Sequence, residues 1–84
     1  MATRKQEIGA AVVRILKKEG GSMFVVPLEM RMLDHMMLRP TYAEVQDAIS
    51  SLVLDGQCVY RGNPAALVPG NDTCVLWLKE FLPA

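Results

Sequence analysis

The chain has 84 residues, 51% of them hydrophobic and 21% charged, with nine Lys/Arg against nine Asp/Glu for a formal net charge of zero. That length holds one domain, residues 1–84, and the balance is too apolar and too weakly charged for a disordered chain. It also excludes a whole-molecule field that would draw the protein onto nucleic acid, and no apolar run approaches the roughly 18 residues that a membrane helix needs.

The N-terminal stretch MATRKQEIGAAVVRILKKEGG lacks the charged, apolar and cleavable layout of a secretion signal, so a cytoplasmic location is the expectation. Within it, Ile8, Ala11, Val12, Ile15 and Leu16 form one apolar stripe at helical spacing. The stripe predicts a helix over about residues 3–18, opened by Thr3 as N-cap and ended by Gly20-Gly21. Residues 1–18 carry Arg4, Lys5, Arg14, Lys17 and Lys18 against Glu7 alone. Lys17 and Lys18 suit the negative end of that helix, and a patch contacting nucleic-acid backbone is the functional alternative.

SMFVVP follows, where Phe24, Val25 and Val26 predict a short strand closed by Pro27. LEMRMLDHMML then predicts a second helix, with Pro27 able to stand in its first turn. Its apolar residues fall in two stripes, Leu28-Met32-Met36 and Met30-Leu33-Met37, more than one buried face requires. The Met run is first a core feature and second a surface that adapts to a partner.

Arg39-Pro40 breaks this helix, and Thr41 with Glu44 three residues later forms a capping box for the next. Val45, Ala48, Ile49, Leu52 and Val53 supply its inner stripe, with Tyr42 a turn earlier on the same side, and Gly56 ends it at about residue 55. Opposite the core stripe lie Ala43, Asp47, Ser50 and Leu54, flanked by Glu44, Gln46 and Ser51.

QCVYR predicts a strand from Gln57 and GNP a turn. The returning strand has two candidates. AALV at 65–68 gives a short hairpin followed by a last helix, because Cys74, Trp77, Leu78, Phe81 and Leu82 also match helical spacing, with Asp72 as cap and Pro83 as stop. CVLWL at 74–78 gives a hairpin with residues 62–72 as its tip. The first is the preferred expectation.

Cys58 and Cys74 fit neither a disulfide framework nor a zinc spacing and are expected to be structural thiols. His35 is the only histidine, and Asp34 beside it points about 100° away on a helix, so the two make no dyad. No nucleophile motif, phosphate-cradling glycine loop or carboxylate pair is present. The expectation is a protein that is no enzyme, with no cofactor and no metal.

The order of helix, short strand, helix, turn, capped helix, glycine and hairpin resembles the winged helix-turn-helix family over nearly the whole chain. The most specific part is TYAEVQDAISSLVLDGQCVYRG, which looks like a recognition helix running into a wing. The resemblance implies an α+β fold, a small winged helix-turn-helix of three helices with a β-hairpin wing, to which the preferred reading of residues 72–82 adds a C-terminal helix. It further implies binding of double-stranded DNA as a transcriptional regulator or accessory factor, commonly as a homodimer. Carried onto this chain, Gln46 would read a base edge, and Thr41 and Ser50 would donate to phosphate or base. Arg39 and Arg61 would contact phosphates, with Lys17 and Lys18 as a further basic patch.

The third helix carries Glu44 and Asp47, with Asp55 at its end, and no Lys or Arg, which opposes a phosphate backbone. The alternative is therefore a winged-helix module that binds a protein and not DNA. Met32, Met36, Trp77 and Phe81 are the expected partner or dimer contacts.

Overall fold

A computed structural model describes residues 2–61 and 74–82. The elements run α1 (Arg4–Lys18), β1 (Ser22–Phe24), α2 (Val25–Leu33), α3 (Tyr42–Leu54), β2 (Cys58–Arg61), β3 (Val75–Leu78) and a 3-10 turn (Lys79–Phe81). The described residues form an α+β arrangement, three helices against a three-stranded antiparallel sheet of order β1-β3-β2. No described helix is long and apolar enough to cross a membrane.

Both long helices are closed by their own sequence at each end. Thr3 and Thr41 each accept the amide of the residue three positions on, while Gln6 and Glu44 reach back to the cap amides. These are two reciprocal capping boxes, each offsetting N–H groups that a helix start leaves without partners. At the other ends Gly20 and Gly56 take positive φ, 89° and 80°. The amides of Gly20 and Gly21 return to Lys17 and Leu16, and those of Gly56 and Gln57 to Val53 and Leu52. That is the Schellman pattern twice.

The core joins Ile8, Val12 and Leu16 of α1, Leu28 and Met32 of α2, Val45, Ala48, Ile49 and Leu52 of α3, and Cys58, Leu76 and Leu78 of the sheet. The inner stripes expected for α1 and α3 thus supply most of it. Tyr42, placed with the α3 stripe by its spacing, is half exposed at the helix start. Strand pairing sorts the sheet residues: Cys58 opposes Leu78 and Tyr60 opposes Leu76 on the inner face, while Val59 opposes Trp77 and Arg61 opposes Val75 on the outer.

Three expectations are corrected. Val75–Leu78 is a strand, not part of a last helix, and only Lys79–Phe81 turns helically. Helical spacing and strand alternation coincide over so short a run. The strand prevails because β3 lies centrally, pairing with β1 and β2 and burying Leu76 and Leu78 on the helix side. The preferred returning strand at 65–68 lies outside the described residues, as do Asp72 and Pro83. Second, Val25 and Val26 open α2 and do not extend β1, with the Val25 amide bonded to the Cys74 carbonyl where strand passes into helix. Third, α2 stops at Leu33, and residues 36–38 form a turn in place of its last helical turn.

Cys58 is buried and Cys74 half-buried, both as free thiols. Cys74 lies four positions from Leu78, the partner of Cys58, hence roughly 13 Å along the strand and far beyond disulfide reach. Burial raises the Cys58 thiol pKa to about 11, so it serves as an inert core group.

Candidate nucleic-acid interface

The face of α3 turned away from the core is open. Ala43, Gln46, Asp47, Ser50 and Leu54 are all exposed, as the spacing requires, with Glu44 and Ser51 half-buried at its margins. Thr41, at its head, accepts the Glu44 amide at its hydroxyl oxygen, which leaves the hydroxyl proton and one lone pair for another partner. The turn entering α3 is built by His35 and Arg39. The His35 ring accepts the Leu38 amide at Nδ1, and the Arg39 amide donates to the His35 carbonyl. His35 is therefore a turn-forming residue whose Nδ1 is the acceptor nitrogen here.

Arg39 has φ of +43°, the single non-glycine left-handed backbone among the described residues. That conformation costs an L-residue about 1–2 kcal/mol. It delivers the chain into the buried Pro40 and leaves the Arg39 side chain exposed at the head of α3, in no ion pair among the described residues.

The two acids of α3, Glu44 at the margin and Asp47 on the open face, are both engaged by α1. Arg4 binds the Glu44 carboxylate and also donates to the Leu38 carbonyl at 2.7 Å. Lys5 meets Asp47 at 3.2 Å. Glu44 also accepts the Thr41 amide, and Arg4 together with that amide holds its carboxyl down at about 2. Glu44 and Asp47 are thus each paired with a cation from another helix, a pairing that sequence spacing had no means of showing.

A buried acid stands between α2 and α3. Glu29 of α2 is 4% exposed, faces Tyr42 and Gln46 of α3, and makes no ion pair among the described residues. Burial raises its pKa, partly offset by those two neighbours. Sequence reasoning passed over Glu29; its position between Leu28 and Met30, on the stripe-bearing part of α2, was the available signal.

The other expected contacts do not gather here. Lys17 and Lys18 lie thirteen or so residues beyond Arg4 and Lys5, hence about 20 Å farther along α1. Lys17 lines a groove with Val13, Gln57, Leu78, Lys79 and Glu80. Arg61 is exposed on the outer side of the sheet, the face away from the helices.

Among the residues expected at a partner surface, Met32 is wholly buried in the core, so it offers nothing to a partner. Met36 is 79% exposed and Met37 88%. Trp77 is half-buried on the outer sheet face, and Phe81 lies against Gly21. Comparison with protein-family models, with curated proteins and with solved structures returns no match.

Proposed function

We propose that the protein is a winged-helix domain that binds double-stranded DNA as a transcriptional regulator or accessory factor, with α3 entering the major groove and the β2–β3 pair forming the wing. The observation that carries the proposal is the outer face of α3. Gln46 and Ser50 stand exposed on it, its two acids are paired with Arg4 and Lys5, and Arg39 is exposed at its head, in no ion pair among the described residues. A major groove admits such a helix, and Gln46 has the paired donor and acceptor that match adenine. The helix and strand order and the antiparallel β1-β3-β2 sheet support the winged-helix assignment.

Arg39 and Arg61 are the phosphate contacts of this reading, while Lys17 and Lys18 stand too far along α1 to share the Gln46 site. A homodimer suits the proposal if its two α3 helices stand about 34 Å apart, one turn of duplex. The exposed outer-sheet residue Phe24, beside half-buried Val59, Val75 and Trp77, supports pairing of two copies.

The test is titration of a labelled random-sequence duplex with the purified protein at low salt. Binding that weakens steeply with salt is expected, with Gln46→Ala losing about 1–3 kcal/mol of base discrimination on a selected site. No binding at low salt overturns the reading. The exposed Met30, Met36 and Met37 favour a second reading, docking of a protein on the α2–α3 corner, under which duplex is ignored and a specific partner co-purifies.

A further inference from the structure

Glu44 and Asp47 are three residues apart, so they share one side of α3, and α1 lies along that side. Gly9 of α1 faces Leu52 of α3, and a Cβ there would stand 3.7 Å from the Leu52 side chain, at ordinary contact distance. The first turn of α1 is set over the first half of α3. Two adjacent cations, Arg4 and Lys5, meet two carboxylates spaced to receive them.

We infer that Arg4 and Lys5 are built-in counter-ions of α3, which cancel Glu44 and Asp47 so that the helix can approach phosphates, and are not themselves phosphate ligands. The inference rests on the DNA-binding reading above. Arg4 is held by two acceptors from different segments, the Glu44 carboxylate and the Leu38 carbonyl. Glu44 is in turn part of the capping box, so an Arg4 that turned to a phosphate would give up its hold on both the head of α3 and the Leu38 carbonyl. Among the described residues Lys5 pairs with Asp47 alone, and both side chains are about half exposed or more. Such a pair adds little to stability. Its effect is on the field that an incoming phosphate meets, because an unpaired Asp47 would stand at the outer face beside Gln46 and Ser50.

A Lys5 that binds phosphate and a Lys5 that neutralises Asp47 differ in their salt dependence. Each phosphate neutralised contributes about 0.9 to the slope of log affinity against log salt. For an internal counter-ion, Lys5→Ala weakens duplex binding at low salt, and Asp47→Asn strengthens it and raises the slope by about 0.9, because Lys5 is released to a phosphate. The double variant Lys5→Ala/Asp47→Asn then returns to wild-type affinity and slope.

The experiment is anisotropy titration of one duplex with the full-length wild type and these three variants, from about 50 to 200 mM salt, where a slope change of 0.9 alters the affinity ratio about 3.5-fold. Thermal melts confirm that each variant is folded; Lys5 and Asp47, both exposed, are chosen for that reason, and Arg4→Ala is not needed. If Lys5→Ala lowers the slope by about 0.9 and Asp47→Asn in its background restores nothing, Lys5 is a direct phosphate ligand and the inference is overturned. If the wild type binds no duplex at the lowest salt, the DNA reading itself fails and the inference with it.

Discussion

The Phe81 side chain occupies the place where a Cβ on Gly21 would be: its Cβ and Cγ lie 2.4 Å from that point. Gly21 has φ of +103°, donates its amide to Leu16 and accepts the Leu78 amide, so it joins the end of α1 to the end of β3. A methyl there would meet both backbone strain and the rooted part of an aromatic side chain. Gly21→Ala is expected to cost about 2–5 kcal/mol, the sum of left-handed strain and overpacking. Neighbouring Gly20, with φ of +89° and nothing within 4 Å, is the control, and its replacement by Ala should cost only about 1–2 kcal/mol. Urea denaturation of the two variants checks this; equal losses would refute the close packing.

Gly9 should behave in the opposite way. It lies in the middle of α1, its backbone is helical, and an added Cβ would make ordinary contact with Leu52 at 3.7 Å. Gly9→Ala is expected to stabilise by about 0.5–1 kcal/mol, which for a domain of this size raises Tm by roughly 2–8 °C. A lowered Tm in a thermal melt would mean that α1 and α3 pack more tightly than described.

The methionines divide by position. Met32 is wholly buried and Met36 is 79% exposed. Met32→Ala should therefore cost about 2–5 kcal/mol and Met36→Ala less than about 0.5 kcal/mol in denaturant titrations. Comparable losses would place Met36 in a packed interface.

These methionines also mark where the sequence stops being sufficient. Both long helices are legible in it, because an apolar stripe, a threonine cap with its partner three residues on and a terminal glycine agree in α1 and α3. Leu28 and Met32 against Met30 and Leu33 look alike in spacing, and only the packing against α1 and α3 decides which stripe is covered. Likewise Val25 and Val26 prefer a strand locally, yet open α2 because Pro27 fits a first helical turn and Cys74 receives the Val25 amide. Cys74 to Leu82 fits helix and strand equally until β1 and β2 are present on either side. For the candidate site, the outward face of α3 follows from periodicity alone. Its charge does not, since Arg4 and Lys5 reach Glu44 and Asp47 across about 40 residues of chain.

Glu29 ties stability to pH. Its folded-state pKa lies above the 4.5 of an unperturbed glutamate, so the folded protein holds that proton more tightly than the unfolded chain does. Stability from this group therefore rises as pH falls through the raised value, and the gain is complete below 4.5. Tyr42, Gln46 and Tyr60 face it, and none is a cation. Glu44 acts in the reverse sense: with its pKa at about 2, it contributes stability above 4.5 that is lost as pH falls toward 2. Glu29→Gln should accordingly stabilise the protein at pH 7, with its advantage over wild type shrinking as the pH falls to 4.5, where Glu44 remains ionised. Urea midpoints at the two pH values measure this. An advantage that is absent at pH 7, or unchanged on acidification, would contradict the assignment.

The central claim, that α3 and the arginine at its head bind duplex DNA, is tested most directly with Arg39→Gly. Glycine adopts φ of +43° without the strain that Arg39 carries, so this variant should fold at least as stably as the wild type. It nevertheless lacks the exposed cation at the head of α3. The account predicts that the wild type binds random duplex at low salt, and that Arg39→Gly binds more weakly, with a salt slope smaller by about 0.9 and an unchanged or higher Tm. Equal affinity and slope for the two proteins, or no duplex binding by the wild type, would contradict it.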